Sequence, residues 1–235
     1  MELLKSKEIL LCAEPTEQGI ALVNFLIHEQ SVKALTVVCT ESTRLRDAVG
    51  DDERLTVLTA DAGNLSQMEG VYANVVKGVK KKLDLIINHK SIRCGDEDWE
   101  DQITRHINSL ISSTLLCIKH LGKMNSGPGG LVINSVTIEQ EVDGNEEATS
   151  SIRNLLMDLD KSFGDPYYFR STGVQILTTC SKMIDERALG VCSTSGAASA
   201  SRCNDRGVGE SLLRAIRDRR SDLGNVEEFQ ISVED

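Results

Sequence analysis

The side chains with the widest chemical repertoire in this chain are seven cysteines and four histidines. The cysteines are Cys12, Cys39, Cys94, Cys117, Cys180, Cys192 and Cys203, and the histidines are His28, His89, His106 and His120. A zinc site needs such ligands at close and regular spacing, as in a Cys-x-x-Cys pair. The cysteines form no such pair and the histidines stand apart from them, so we predict that the chain binds no metal.

Three of these residues are candidates for a non-redox nucleophilic site. Cys94 follows Arg93, and a neighbouring positive charge can lower the pKa of a thiol. Cys180 and His89 are the other two candidates. Such a site requires a cysteine paired with a histidine, and no pair is visible in the sequence. Free thiols that pack as small core residues in a reducing cytoplasm are the favoured interpretation.

The elements that must position these side chains alternate between short aliphatic runs and longer amphipathic stretches. Strands are predicted at 8–13, 34–39, 55–59, 83–87, 131–136, 173–179 and 226–233. Helices are predicted at 17–29, 42–49, 65–80, 101–123, 148–163 and 208–220. This alternation predicts an α/β fold, a Rossmann-like doubly wound parallel sheet of about seven strands with the first near the centre. We expect three helices on each face of the sheet.

Length and charge limit the domain count and the partners. A chain of 235 residues is compatible with one domain over residues 1–235, in which the small polar stretch 190–207 is expected to be a flexible loop. Its 26 basic and 36 acidic residues give a net charge of −10. We therefore expect neither a nucleic acid nor an anionic membrane as partner. The apolar runs are shorter than the ~20 residues of a membrane span, and the first residues lack the apolar core of a signal peptide.

Several short strings carry a family resemblance. They are Leu83–Asn88, Ile107–Asn108, Gly127–Thr137, Ser171–Ile176 and, in the tail, Leu212–Ile216 followed by Gly224–Val226. With the order of elements, they resemble the short-chain dehydrogenase/reductase family, especially insect-type alcohol dehydrogenases and 15-hydroxyprostaglandin dehydrogenase. The resemblance covers almost the whole chain, and Gly-Pro-Gly-Gly at 127–130 is its most specific part. It implies an NAD(P) cofactor and the oxidation or reduction of an alcohol or ketone.

The turn that holds the cofactor pyrophosphate in the resembled family has changed. The family has Thr-Gly-x-x-x-Gly-x-Gly, in which glycines let the backbone approach the phosphates at a helix N-terminus. The matching stretch here is 14–21, and only Gly19 of the pattern remains. Pro15 removes an N–H group, while Glu14 and Glu17 bring negative charge towards the phosphates. Ala21 adds a methyl group where the family packs its helix closely against the strand.

Other cofactor positions are altered as well. Cys39-Thr40 stands where the family has its ribose-binding acid, and Glu41 is the nearest acidic candidate. Asp61 matches an aspartate that contacts the adenine, although a helix N-cap or a loop acid is an equally open interpretation. Asn88 is kept from the family's Asn-Ala-Gly, but His89-Lys90 follows it and would fill the space of the nicotinamide ribose. The family's Pro-Gly after the sixth strand is Cys180-Ser181 here.

These changes predict that no cofactor is bound, with NAD(P) as the alternative. Gly19, Asp61 and Asn88 then remain as vestigial cofactor positions. We expect the groove to be reduced, with Pro15, Glu17 and the His89-Lys90 pair filling part of it.

The catalytic positions have lost their chemistry. The family uses Tyr-x-x-x-Lys, in which the tyrosine transfers a proton and the lysine lowers its pKa. Aligning Thr137 with the family's serine, for which Ser135 is the other candidate, places Ser150 at the tyrosine and Asn154 at the lysine. Serine is too weak an acid and asparagine carries no charge. With Asn108, which matches the family's asparagine, these positions are predicted to be vestigial.

Two functions compete on this basis. The favoured one is a catalytically inactive protein that serves as a dimeric binding or scaffold protein for an unidentified protein partner. The alternative is an NAD(P)-dependent oxidoreductase with a rearranged site. Broad apolar faces on the helices 101–123 and 148–163, through which the family commonly pairs, predict a homodimer. The additional apolar positions could instead lie under residues 190–207.

Overall fold

The computed structural model describes residues 3–77, 83–94, 99–141, 146–185 and 205–222. Its strands are β1 (Glu8–Cys12), β2 (Ala34–Cys39), β3 (Leu55–Thr59), β4 (Leu85–Cys94), β5 (Gly130–Glu141) and β6 (Val174–Asp185). Its helices are α1 (Glu17–Asn24), α2 (Ser42–Val49), α3 (Leu65–Lys77), α4 (Trp99–Leu121), α5 (Glu146–Phe163), α6 (Pro166–Thr172) and α7 (Asp205–Asp222). A π-helical turn at Phe25–Glu29 continues α1, and a 3-10 turn at Lys123–Asn125 follows α4.

The strands form one parallel sheet in the order β3-β2-β1-β4-β5-β6. The first strand lies near the centre, as predicted. Beyond it the strand order reverses, so the carboxyl ends of β1 and β4 border the switch point of the sheet. The structure describes six strands. The predicted seventh, 226–233, lies outside the described residues, as does the expected loop 190–207 apart from its last three residues, which begin α7.

Helices cover both faces of the sheet because successive strand residues point to opposite sides. On β1, Ile9 and Leu11 pack in the cluster that includes α1, α2 and α7. Leu10 belongs to the opposite cluster, with α3 and α4, and α5 extends that layer beside α4. Three of the described helices therefore pack on each face, as predicted, and the short α6 before β6 is an additional helix. None of the described helices has the length and hydropathy needed to cross a membrane.

Three strands continue well beyond their predicted ends. The prediction ended β4, β5 and β6 where their apolar runs stop, whereas the structure continues them through polar residues to Cys94, Glu141 and Asp185. The extension is held by parallel pairing, such as His89 with Ser135. Backbone pairing satisfies the main-chain groups whatever the side chains are, so side-chain polarity is a weak guide to a strand end.

Helix α6 was not predicted, although its local signals are present in the sequence. Asp165 caps its first turn by accepting a hydrogen bond from the Tyr167 N–H at 2.7 Å. Pro166 begins the helix, and Gly173 ends it at φ 68°. A cap acid, a proline at the first position and a glycine after the last are the ordinary signs of a short helix.

Candidate functional site

The turn between β1 and α1 carries an acid, Glu14, that hydrogen-bonds to the residue after β2. The Glu14 carboxylate accepts hydrogen bonds from the Thr40 hydroxyl at 2.6 Å and from the Thr40 N–H at 3.4 Å. Glu14 follows β1 and Thr40 follows β2, so the contact bridges the carboxyl ends of these two strands. The donors at the end of β2 are therefore engaged by a side chain of the same protein.

The start of α1 is likewise occupied by the chain. The Thr16 hydroxyl caps the helix by accepting a hydrogen bond from the Gly19 N–H at 3.1 Å. A Cβ on Gly19 would lie 2.0 Å from the Glu14 carbonyl oxygen, so the turn tolerates only glycine there. Gly19 thus has a packing role that requires no phosphate. The cap also uses a helix N–H that an anion would otherwise accept from.

The side chains expected to fill the groove do so only in part. Pro15, His89 and Lys90 are buried at the carboxyl end of the sheet, in agreement with that expectation. Glu17 is exposed instead, and Glu14 is the acid that reaches across the strand ends. The charge of Glu14 was recognised from the sequence, but its partner Thr40 was not.

Asp61 lies in an exposed turn ahead of α3. Its carboxylate accepts a hydrogen bond from the Gly63 N–H at 2.8 Å, and its own N–H donates to Gln67 at 2.9 Å. The helix cap is Asn64, which accepts from the Gln67 N–H at 3.1 Å. The geometry thus gives Asp61 the role of a loop acid, one of the two interpretations open for it.

Asn88 is the centre of a buried hydrogen-bond network between the sheet and two helices. Its amide donates to the Asn134 side-chain oxygen at 2.9 Å, and its oxygen accepts from the Ser113 hydroxyl at 2.7 Å. Ser113 lies 2.7 Å from the Tyr72 hydroxyl, and Asn134 donates to Thr114 at 3.0 Å. Both hydrogen-bonding ends of the Asn88 amide are therefore used inside the core.

Four members of this network, Tyr72, Ser113, Thr114 and Asn134, were not singled out from the sequence. The sequence signal for this network is a pair of small polar residues, Ser113 and Thr114, among the apolar residues of the inward face of α4. Buried polar groups are nearly always hydrogen-bonded, so polar residues on an apolar helix face indicate partners across the interface. The sequence does not say which partners these are.

His89 and Ser135 lie side by side on the neighbouring strands β4 and β5. A serine beside a histidine is the arrangement of a nucleophile and its general base. The His89 Nδ1 and the Ser135 hydroxyl are 3.4 Å apart. Burial, with a contribution from the charge of Lys90, lowers the pKa of His89 to about 4. Both side chains are almost fully buried, and within the described residues the His89 Nε2 has no partner to orient the ring. The pair therefore lacks the substrate access, basicity and orienting acid of a hydrolytic site.

The thiols do not assemble a nucleophilic site in the described parts of the chain. Cys12 and Cys117 are buried, and burial raises the pKa of each to about 12. Arg93 forms an ion pair with Glu139 at 3.2 Å, so its charge is engaged across the strands and does not serve Cys94 alone. Cys180 is exposed on β6, while Cys192 and Cys203 lie outside the described residues. Nor do the described residues contain a cluster of three metal-ligating side chains.

The residues at the predicted vestigial catalytic positions fall into two environments. Thr137 is fully buried, and its hydroxyl lies 3.1 Å from that of Ser181 on β6. Asn108 on α4 and both Ser150 and Asn154 on α5 are exposed. The structure places Ser150 and Asn154 one helical turn apart, as the alignment required, but neither carries a group that exchanges a proton near neutral pH.

The three tyrosines of the chain lie in the core or in α6. Burial raises the pKa of Tyr72 well above its ordinary value, and its hydroxyl is hydrogen-bonded inside the core. Tyr167 and Tyr168 belong to α6, which leads into the amino end of β6. Thr137 lies towards the carboxyl end of β5, which is the opposite end of the parallel sheet.

Several proteins are similar to this chain in sequence, although no protein-family model matches it. It is 30% identical over 123 residues to alcohol dehydrogenase 2 of Ceratitis rosa, covering 51% of this chain and 46% of that protein. A development-specific 25 kDa protein of Sarcophaga peregrina is 27% identical, with 48% and 46% covered. The NAD(+) 15-hydroxyprostaglandin dehydrogenase of Rattus norvegicus is 25% identical, with 37% and 32% covered. The chain thus spans about half the length of the first two relatives and 32% of the length of the third.

Solved structures share the fold at lower sequence identity. A short-chain dehydrogenase from Mycobacterium smegmatis has a TM-score of 0.57 and 16% identity, with 78% of each chain covered. The 3-ketoacyl-(acyl-carrier-protein) reductase of Brucella melitensis, solved with NADH, has a TM-score of 0.54 and 13% identity, with 75% of this chain and 76% of that one covered. The fold is that of a Rossmann-like short-chain dehydrogenase. Sequence relatives and fold together support membership of the short-chain dehydrogenase/reductase family.

Proposed function

We propose that this chain is a catalytically inactive relative of the short-chain dehydrogenases that serves as a dimeric binding or scaffold protein. The observation that carries the proposal is the contact of Glu14 with Thr40, which places an acid between the ends of β1 and β2, beside the turn that would hold a cofactor pyrophosphate. A fold persists through its core packing, whereas an activity requires particular side chains at the site. Here the core is complete in the described residues and the side chains of the site have changed.

The residues at this end of the sheet do not fit a dinucleotide. The Glu14 carboxylate takes the donors after β2, where a ribose would otherwise be held. The same acid stands beside the start of α1, where it would face a doubly charged pyrophosphate. The backbone N–H of Gly19, in the first turn of α1, already donates a hydrogen bond to the Thr16 hydroxyl. On the far side of β1, His89 and Lys90 are buried where the resembled family has small residues.

The chemistry of the acid–base candidates among the described residues supports the same proposal. Hydride transfer to or from an alcohol requires a group that takes or gives the hydroxyl proton. The alignment with the resembled family predicts Ser150 and Asn154 at the positions of its tyrosine and lysine, and neither side chain supplies that group. The thiols and imidazole nearest this end of the sheet are unsuited, because Cys12 has a pKa of about 12 and His89 a pKa of about 4.

The second candidate is an NAD(P)-dependent oxidoreductase acting on an alcohol or ketone through a rearranged site. It is favoured by the solved relatives described in complex with NADH or NADP. A surface depression of about 850 Å³, lined by Thr40–Arg44 beside the ends of β2 and β3, offers room for part of a nucleotide. This candidate would require Glu14 to release Thr40 when the ligand binds.

Calorimetric titration of the full chain with NADH and NADPH separates the two candidates. We expect no saturable heat of binding with either nucleotide at concentrations up to roughly 100 μM, which is well above a Kd of about 1 μM. A thermal scan first shows that the protein is folded. Saturable micromolar binding would contradict the proposal. The Glu14→Ala variant removes the closing acid, and Glu53→Ala removes an exposed acid elsewhere as a matched control. Binding that returns only with Glu14→Ala would identify that acid as the obstacle.

The dimer is proposed to form through α4 and α5. Large apolar side chains are exposed on both helices, at 51% for Leu115, 45% for Leu155 and 53% for Met157. Two such helices from each copy give a self-complementary patch, for which a standard interface buries about 1,600 Å² in total. Ile111 of α4 is only partly accessible and packs against the cluster that α4 and α5 share.

Light scattering tests the dimer directly. A mass of twice 25.7 kDa at micromolar concentration is expected for the native chain. The Leu155→Glu variant should give the monomer mass while keeping its far-ultraviolet circular dichroism. Leu65→Glu is the control, since Leu65 is 56% exposed on α3 and outside the proposed interface. A native chain that scatters as a monomer would refute the dimer, and so would a Leu155→Glu variant that stays dimeric.

We further propose a cytoplasmic location and a protein partner. The described thiols are free, and a reducing compartment keeps them so. A protein partner is proposed because a fold without its chemistry still offers a stable surface. Nucleic acid is an unsuitable partner for a chain with a net charge of −10.

A further inference from the structure

The exposed apolar side chains of the described residues are concentrated in one part of the molecule. Seven large ones are exposed, namely Leu65, Leu115, Met124, Leu155, Met157, Tyr167 and Tyr168. Six of the seven lie on α4, on α5 or in the short segments that follow these two helices, and only Leu65 lies elsewhere. Single apolar residues are ordinary on a protein surface, but a concentration of them indicates an interaction site.

Aromatic residues are rare in this chain, yet half of them lie in one short segment. The whole sequence has eight, and four of these are Phe163, Tyr167, Tyr168 and Phe169. The ring centroid of Tyr168 lies 6.0 Å from that of Phe163 and 6.1 Å from that of Tyr167. Phe163 packs in turn against the buried clusters beneath α4 and α5. The exposed Tyr167 therefore stands at the outer end of a row of rings that begins at the core.

The 3-10 turn after α4 lies beside α6, which brings Met124 to the same end of the sheet. The Gly130 N–H, at the start of β5, donates a hydrogen bond at 3.2 Å to the Gly173 carbonyl, just before β6. The turn and α6 are also in direct contact. Met157 is one and a half helical turns before Phe163, about 9 Å along α5. The exposed apolar surface of α4 and α5 therefore continues onto α6 and the 3-10 turn.

The exposed apolar side chains of α4 and α5 alone are few for a stable dimer. A standard interface takes about 800 Å² from each partner, over about 20–30 residues. Among the described residues, the two helices expose three large apolar side chains: Leu115, Leu155 and Met157. Tyr167 is 72% exposed and Met124 is 77% exposed. Because an aromatic side chain can bury about 150–250 Å², adding this end of the layer brings the surface closer to the area that two copies need.

The charge around α6 suits a second copy of the same chain. Two copies that each carry a net charge of −10 repel one another unless the surfaces that meet are locally neutral. The segment 153–170 has three basic and three acidic residues and thus no net charge. Within it, Asp158 and Lys161 form an ion pair at 3.1 Å. A neutral aromatic patch is compatible with itself across a two-fold axis, whereas it offers no charge that would select a basic or an acidic partner.

We propose that the second copy in the dimer docks on α6 as well as on α4 and α5, with Tyr167 and Tyr168 as aromatic anchors and Met124 beside them. The inference rests on the proposed dimer and deepens it, because it names the residues that hold the partner. Tyrosine is enriched among the residues that dominate binding energies. Its ring buries a large area at a small cost in conformational entropy.

The dissociation constant of the dimer, measured by sedimentation equilibrium, tests the role of α6. Tyr167→Ala is expected to raise it about 30-fold or more, which is the effect of removing a binding hot spot. Tyr167→Phe keeps the ring and should have a smaller effect. Leu65→Ala is the control, because it truncates a side chain that is 56% exposed on α3 and should leave the constant unchanged. Circular dichroism in the far ultraviolet checks that each variant is folded.

Hydroxyl-radical footprinting of the native chain is a second measurement that needs no variant. Tyr167 and Met124 should be labelled more slowly at protein concentrations above the dissociation constant than below it. Leu65 should be labelled equally at both concentrations. Equal labelling of Tyr167 in monomer and dimer would overturn the proposal, and so would a folded Tyr167→Ala variant that dimerises as tightly as the native chain.

The outcomes separate this inference from the proposed function. A dimer that Leu155→Glu dissociates and Tyr167→Ala leaves intact would refute the role of α6 and leave the dimer through α4 and α5 standing. A native chain that is monomeric at every concentration would refute both the dimer and the role of α6. The NADH titration depends on neither result, so the proposed loss of catalysis is judged separately.

Discussion

Replacing Asn88 with alanine tests whether this residue is a core hydrogen-bonding group or a remnant of a cofactor site. The change deletes the bond to Asn134 at 2.9 Å and the bond from Ser113 at 2.7 Å. Neither bond is exposed to solvent, so water does not replace it without entering the core. A cofactor residue, by contrast, would be removed at little cost to stability.

The magnitude follows from the partners that Asn88 leaves behind. A buried hydrogen bond contributes about 1 kcal/mol net, and each buried group left unpaired costs about 1–3 kcal/mol. The Asn134 oxygen keeps a longer contact from Thr114 at 3.3 Å, and Ser113 keeps Tyr72 at 2.7 Å. Because each partner retains one contact, we expect a loss of about 2–4 kcal/mol in the free energy of unfolding. That corresponds to a fall in Tm of about 5–15 °C.

Urea unfolding followed by circular dichroism measures this loss as a shift in midpoint at constant slope. Asn108→Ala is the matched control, since Asn108 is exposed and the same truncation there should change stability by less than about 0.5 kcal/mol. A double-mutant cycle with Ser113→Ala should give a coupling energy of about 1–2 kcal/mol. An Asn88→Ala variant that loses less than 1 kcal/mol, or a cycle without coupling, would refute the network as described.

Three further predictions concern packing, pH and thiol reactivity. Gly19→Ala should lose about 1–3 kcal/mol by urea unfolding, because its methyl would meet a carbonyl oxygen at 2.0 Å, whereas Gly70→Ala has open space and should gain up to about 1 kcal/mol. Burial lowers the pKa of His89 to about 4, below its ordinary value of 6.5. The neutral imidazole therefore makes its full contribution to the free energy of unfolding above pH 6.5, and this contribution is lost as the pH falls towards 4. Stability measured across that interval should fall by roughly 2–3 kcal/mol more in the native chain than in His89→Asn, and equal slopes would contradict the assignment. In thiol labelling of the folded protein at pH 8, Cys180→Ser should remove one rapidly modified thiol, whereas Cys117→Ser should leave the rapid phase unchanged.

The order and type of the principal elements were predictable because they depend on local periodicity. Aliphatic runs such as 34–39 and 55–59 have the same bounds as strands β2 and β3 in the structure. Alternation of strands with helices implies parallel crossovers of one hand, which in turn places β1 inside the sheet. The short helix α6 was missed although its caps are local, because seven residues are too few to show an apolar period.

The prediction of altered site chemistry also came from residue identity alone. If Ser150 and Asn154 stand at the positions of the resembled family's tyrosine and lysine, as the alignment predicts, neither side chain supplies its proton transfer in any conformation. Charge at Glu14 and the loss of an N–H at Pro15 required no coordinates. What each replacement contacts is another matter, because a type of side chain does not specify its partner.

Tertiary structure decided which distant residues meet. Glu14 and Thr40 are 26 positions apart, and Asn88 and Asn134 are 46 apart, so each contact depends on which strands become neighbours and in which register. A shift of one residue in a strand would turn Asn88 to the opposite face and replace it with His89. Composition and spacing therefore determined the class of fold and predicted, from residue types, a loss of the resembled family's chemistry. Only the paired sheet decided that Glu14 contacts Thr40 and that Asn88 belongs to the core, since these outcomes depend on long-range register.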